Sequence, residues 1–303
     1  MPSQTIIEAV REGRILVSDA AWGTSLQKRG LKPGECPELL NLTAPDTVLA
    51  VARSFVEAGA DMIQTNSFGG SRFKLEQYDL ADKTVAINRA AASLSRQAAG
   101  EDHWVIASLG PTGRMLLMGD TTPDELYEAF AEQAQALAQG GADGICVETM
   151  SAVDEAALAI RAAREKTACE VIATFTFEQT QSGDYRTMMG VSPTQAAEAA
   201  TDAGAMIIGT NCGNGLRGMA AIVSEMRRAA AEAVLLVHAN AGLPANVNGE
   251  QVFPESPDDM AAAVQDIVEA GAAVIGGCCG TTPEHITAIK REVGRLESGK
   301  DGS

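Results

Sequence analysis

The sequence contains no apolar run near the roughly 20 residues that a membrane-spanning helix needs. Its first 14 residues are polar and charged and lack the apolar stretch of a secretory signal. Positive charge is scarce: 23 Lys and Arg stand against 40 Asp and Glu, for a net charge of −17. That argues against a nucleic-acid partner, whose phosphates demand Lys and Arg, and against an anionic membrane surface. Cysteine is too sparse for a disulfide scaffold, with six in 303 residues. Reduced thiols in a cytoplasmic protein are the simpler expectation. No shift of composition marks a linker.

What remains is an ordinary globular composition, 46% hydrophobic and 21% charged, in a chain long enough to bury a large core. Four segments share one frame. Each has an Ala- and Glu-rich helical stretch, then a Gly-Ala pair, then a short apolar run; the pairs fall at 59–60, 141–142, 204–205 and 271–272. Glycine is the expected helix stop, and an apolar run beside it is the expected buried strand. Counting from each glycine, the seventh residue is Asn66, Glu148, Asn211 or Cys278, and the eighth is Ser67, Thr149, Cys212 or Cys279. Apolar strands thus end in polar side chains at one offset.

Four further strands are expected over 14–20, 104–109, 170–175 and 234–239. Helices are expected over 47–58, 82–99, 123–139, 153–166, 193–203, 216–231 and 258–270. Eight strands alternating with helices predict a parallel α/β sheet closed into a (β/α)8 TIM barrel, whose C-terminal rim carries the active site. An open doubly wound sheet would want a Gly-rich phosphate turn after the first strand, and Ala20-Ala21-Trp22-Gly23 is not one. The reading is a single domain over 1–297 with a tail over 298–303.

In that barrel Cys212, Cys278 and Cys279 share one rim. Three thiolates with an open fourth position describe a catalytic zinc site better than a structural one, which four protein ligands close. Cys36, Cys146 and Cys169 read instead as small buried hydrophobes. His238, at a strand end, reads as a packed residue rather than a ligand, and His103 and His285 as surface and helix residues. The loop Arg186-Thr187-Met188-Met189-Gly190 is a rim loop without an assigned role.

Several segments together resemble one family. They are Asp19-Ala20-Ala21-Trp22-Gly23-Thr24, Gln64-Thr65-Asn66-Ser67-Phe68-Gly69, Ser108-Leu109-Gly110-Pro111, Glu148-Thr149, Asn211-Cys212-Gly213, Asn240-Ala241-Gly242-Leu243-Pro244 and Gly276-Gly277-Cys278-Cys279-Gly280-Thr281-Thr282-Pro283. In order, they resemble the homocysteine S-methyltransferases, the group of the homocysteine-binding barrel of cobalamin-dependent methionine synthase. The resemblance implies that Cys212, Cys278 and Cys279 hold Zn2+ and are the catalytic centre. It implies that Asp19 and Glu148 hold the amino group of L-homocysteine, and that the backbone at Ser67, Phe68 and Gly69 receives its carboxylate. Asn66 and Thr24 complete the implied substrate-binding set. Asn240 matches an asparagine that occupies the open zinc position when no thiol is bound.

Two departures carry weight. Where the family has Asp-Gly, this chain has Asp19-Ala20, and alanine would strain a turn of positive φ. Where betaine-type members have tyrosine, it has Gly69, which disfavours betaine as donor. The 303 residues hold no folate, corrinoid or reactivation module. The expected reaction is zinc-dependent methylation of homocysteine to methionine, with methylcobalamin supplied by a separate corrinoid protein. The alternatives are direct transfer from a small donor such as S-methylmethionine or betaine, the same chemistry on another thiol, or a zinc- and thiol-binding subunit without turnover. A small onium donor would want an aromatic cage, for which Trp22 and Phe68 lie near the rim.

Overall fold

Each Gly-Ala pair turns a helix into a strand for one backbone reason. Gly59, Gly141, Gly204 and Gly271 have φ of 95°, 102°, 103° and 114°, the left-handed region that ends a helix. At three of them the next N–H reaches back five residues: Ala60 to Phe55, Ala142 to Leu137 and Ala205 to Ala200. That is the double-bonded helix stop in which a glycine frees the chain to leave along a new axis.

The computed structural model describes residues 2–19, 21–247 and 250–300. Eight parallel strands form one sheet: β1 (Leu16–Val17), β2 (Met62–Gln64), β3 (Trp104–Leu109), β4 (Gly144–Met150), β5 (Glu170–Phe175), β6 (Ile207–Gly215), β7 (Val234–Asn240) and β8 (Ala272–Gly277). The order is sequential, and β8 returns to pair with β1. A bridge from Ser18 to Met62, with Asp19 N–H donating to Met62 O, brings β1 against β2 and closes the ring. The fold is the expected TIM barrel. Helices Pro123–Gln139, Val153–Lys166 and Pro193–Ala203 fall where the apolar spacing puts them. The first strand is shorter than 14–20. The last helix, Pro283–Lys300, runs past the 297 boundary. Ala20 and residues 301–303 lie outside the described residues, so the alanine in the Asp19-Ala20 opening has no structural account.

The core has two shells. Outward-facing strand residues such as Val17, Ile63, Val105 and Ile145 pack under the helices. Inward-facing Leu16, Met62, Ile106, Cys146, Ile172, Ile207, Leu236 and Val274 fill the barrel. An unanticipated short helix, Ile6–Arg11, joins this inner cluster through Ile6, Ile7 and Ala9. A reciprocal Thr5–Glu8 cap starts it. The Glu170 carboxylate accepts the N–H groups of Ile6 and Ile7 at 2.7 and 3.0 Å. Glu170 begins β5, so this helix plugs the end of the barrel away from the cysteines. Burying each isoleucine contributes about 1.5–3 kcal/mol. Among the described residues, no helix is long and apolar enough to cross a membrane.

Candidate metal centre and substrate pocket

The polar layer begins where the apolar strands lose their regular pairing. Pairing of β4 with β5 slips between Val147 and Met150, and that of β6 with β7 slips between Asn211 and Gly215. Such irregularities re-aim side chains at a barrel rim. The first slip spans Glu148 and the second spans Cys212. Cys278 and Cys279 follow β8 and are clamped to the end of β7. Cys278 N–H donates to Ala239 O at 2.6 Å, Ala241 N–H to Cys279 O at 3.0 Å, and Cys279 N–H to Asn240 Oδ1 at 3.1 Å.

These constraints bring the three sulfurs to within 4.8 Å of one another, so Cys212, Cys278 and Cys279 together can hold a metal ion. The Sγ atoms of Cys212 and Cys279 are 4.0 Å apart. Thiol hydrogen bonds from Cys278 and Cys279 hold the Cys212 pKa well below the usual thiol range. The same contacts raise those of Cys278 and Cys279. Cys212 is thus the sulfur whose anion its two neighbours favour. His238 is buried on β7, is not part of this group, and is kept neutral by burial, with its pKa lowered to about 4. Cys36 and Cys146 are buried and Cys169 half-buried, all three apart from the cluster.

Two carboxylates lie on the same rim. Asp19 is fully buried; its Oδ2 accepts Gln64 N–H at 2.8 Å and Trp22 Nε1–H at 2.9 Å. Burial pushes its pKa up to about 7 against those bonds, and the nearby Glu148 charge adds to the rise. Glu148 is also buried; it accepts Gln64 Nε2–H at 3.0 Å and a short hydrogen bond from the Ser108 hydroxyl. Burial raises its pKa too. Gln64 thus holds both acids, one by its backbone and one by its side chain. Among the described residues, no Lys, Arg or His forms an ion pair with either acid. Sequence reasoning assigned no role to Gln64 or Ser108, although both lie in the matched segments.

The Ser67–Gly69 backbone is more committed than expected. Ser67 N–H donates to Thr65 O at 2.9 Å, and Gly69 N–H donates to Glu38 Oε1 at 2.7 Å. Gly70 N–H closes back onto Ser67 O at 2.9 Å. Among the described residues, Phe68 N–H is the one donor of the three without a protein partner. Glu38 was not anticipated; it is buried and comes from a 3-10 turn, Pro37–Leu39. Both amide protons of Asn66 are used, on Pro37 O at 2.7 Å and Asn41 Oδ1 at 3.0 Å, which ties it to that turn. Thr24 lies half-buried in helix Trp22–Gln27. Asn240 touches the metal group through Cys279 N–H and also supports the Cys212 thiolate. Trp22 is buried against Asp19, so only Phe68 of the two aromatics considered for an onium cage is exposed.

Known proteins resemble this chain in sequence and in fold. A family model described as homocysteine S-methyltransferase matches residues 16–293. Methionine synthase of Mycobacterium leprae is 34% identical over 307 residues, covering 94% of this chain and 25% of that protein. Methionine synthase of Mycobacterium tuberculosis is 32% identical over 304 residues, with the same coverage of 94% and 25%. The chain thus spans a quarter of the length of these relatives. Among solved structures, the homocysteine methyltransferase MmuM of Escherichia coli in its oxidised form superposes with a TM-score of 0.75 at 22% identity, covering 95% of this chain and 99% of that one. Its metallated form gives the same TM-score of 0.75, covering 94% and 99%. At that identity the likeness speaks for the barrel fold.

Proposed function

The chain belongs to the homocysteine S-methyltransferase family, and from that premise we propose that it methylates the thiol of L-homocysteine to give methionine. The observation that carries the reading is a pair of buried carboxylates, Asp19 and Glu148, that pair with no cation among the described residues and lie on the same rim as three converging thiols. An amino acid thiol satisfies both ends. Its ammonium supplies the countercharge, its carboxylate meets Phe68 N–H, and its sulfur faces the cysteines. A thiol without an amino group would leave two buried acids unpaired, which gives selectivity.

Zinc suits the donor set. Four bonds of about 2.3 Å arranged tetrahedrally place sulfurs about 3.8 Å apart, and the Cys212–Cys279 separation is 4.0 Å. Cys212, Cys278 and Cys279 would hold the ion, with Asn240 next to the group through Cys279 N–H. When bound, zinc supplies a Lewis acid that lowers the pKa of an entering thiol. The residues do the rest: Asp19 and Glu148 fix the ammonium on the rim that carries the three cysteines. The sulfur gives up its proton to solvent and takes the methyl as the bond between donor and carbon breaks, the donor leaving with that electron pair, and no covalent bond to the protein forms.

A methyl-corrinoid protein is the donor this surface supports. Loops at the C-terminal rim expose Leu117, Met118, Met188 and Leu243, at 81, 72, 87 and 63%. Adaptable apolar side chains of this kind suit a protein partner better than a small cation. The test is methyl transfer by zinc-loaded protein to homocysteine from methylcobalamin, S-methylmethionine or betaine, with Cys279→Ala as control. Methionine from methylcobalamin alone, lost in Cys279→Ala, is the expected result. Methionine only from an onium donor refutes the corrinoid reading. None from any donor refutes the acceptor.

A further inference from the structure

Thr149 and Cys212 occupy the same place in the repeat, the eighth residue after Gly141 and Gly204. Both are left-handed, with φ of 61° and 60°. Only one other non-glycine among the described residues, Asp79, has positive φ. For β-branched threonine this backbone is a genuine outlier, and it persists only where surrounding bonds enforce it. The enforcing side chain is Asn211, which is buried.

Asn211 Oδ1 accepts Thr149 N–H at 2.9 Å and the Thr174 hydroxyl at 2.7 Å. Its Nδ2 donates to Thr149 Oγ1 at 2.7 Å. The Thr176 hydroxyl donates to its backbone carbonyl at 2.9 Å. The bonds cross from β6 over β5 to β4 at the level where both pairings slip. Cys212 is the residue after Asn211, and Glu148 is the residue before Thr149. One side chain therefore fixes the backbone of a metal-group sulfur and that of an ammonium-site carboxylate.

We propose that Asn211 is a positioning residue that sets the spacing between the Glu148 carboxylate and the Cys212 sulfur, and so selects thiols by the distance from their sulfur to their ammonium. The inference rests on the homocysteine reading. Homocysteine and cysteine carry the same groups and differ by one methylene in that distance. A pocket of fixed spacing separates them, and a pocket that can relax does not. Asn66, at the equivalent place in the first repeat, has no such role because its amide is spent on Pro37 and Asn41.

The experiment uses the protein loaded with cobalt(II), whose absorption reports ligand exchange at the three thiols without any methyl donor. Titration with homocysteine and with cysteine measures the preference for each; competition with a chelator measures metal affinity. Asn211→Ala is expected to weaken metal binding about 10- to 100-fold, as removal of an outer hydrogen bond does. It should also shrink the preference for homocysteine about tenfold. Thr174→Val, which keeps the side-chain shape and removes one of the bonds, is expected to move the preference in the same direction by less. Unchanged preference in both variants overturns the inference, as does a lowered melting temperature with metal affinity and preference intact. If Asn211→Ala does not fold, Thr174→Val alone decides. Failure of the homocysteine reading shows separately, as a parent protein whose spectrum does not respond to homocysteine.

Discussion

Replacing Asp19 by asparagine should make the protein more stable and less able to bind its substrate. Asp19 is fully buried and its pKa is raised from 3.8 to about 7. The sign follows from linkage. The folded state binds the proton more tightly than the unfolded chain, so the stabilising contribution is complete below the unfolded pKa and disappears as pH rises through about 7. Holding the carboxylate ionised then costs roughly 4 kcal/mol, at about 1.4 kcal/mol per pKa unit. Asparagine keeps an oxygen for Gln64 N–H and Trp22 Nε1–H but carries no charge. Denaturant unfolding without homocysteine should show Asp19→Asn more stable than the parent by a margin that grows about 2–3 kcal/mol between about pH 5 and about pH 8. Over the same range the parent's affinity for homocysteine should rise, because the ammonium needs the ionised acid. That rise should flatten in Asp19→Asn, with KM higher by about 100-fold, equivalent to about 2.7 kcal/mol. A stability margin that does not change with pH, or a KM equal to the parent's, would refute the reasoning.

Two further outcomes follow from the loops around the site. Glu38→Ala leaves Gly69 N–H without its acceptor and frees the stretch that presents Phe68 N–H. KM for homocysteine should rise about tenfold with kcat changed less, while Glu38→Gln, which keeps an acceptor oxygen, should recover most of the loss. Met188→Glu combined with Leu117→Glu places charge on two of the most exposed apolar side chains of the rim. Methyl transfer from a corrinoid protein should slow about tenfold, and transfer from free methylcobalamin should stay at the parental rate; an equal effect on both would show that these residues do not meet a partner.

The barrel was legible because its punctuation is local. Four glycines with left-handed backbones set the frame, and the apolar runs between them could only be strands. The cysteine group was legible for the same reason, since Cys212 and Cys279 share the eighth place in two repeats and Cys278 directly precedes Cys279. Glu38, Gln64 and Ser108 were not, because their roles depend on partners 31, 84 and 40 residues away. Asn66 and Asn211 show the limit most clearly. They share an offset and a residue type, yet one amide ties down the Pro37 turn and the other joins three strands. The barrel plug at Ile6–Arg11 was missed although its Thr5–Glu8 cap is a sequence signal, because a helix of six residues carries little periodicity.

Asp19 and Glu148 also explain why the site is built on residues that do not stabilise it. Each is buried, each has a raised pKa, and the charge on Glu148 further raises that of Asp19. A lysine or arginine among them would relieve both, and the described residues place none there. Such a cation would fill the space that an ammonium ligand needs. Hydrogen bonds from Gln64, Trp22 and Ser108 instead hold the acids in place without neutralising them. Their unrelieved charge is then available to a ligand that brings its own cation, and on the positioning proposed for Asn211 the left-handed backbones at Thr149 and Cys212 would keep that cation at a set distance from the sulfurs. On the proposed reading, stability given up at these positions becomes selectivity for a thiol that carries an ammonium group.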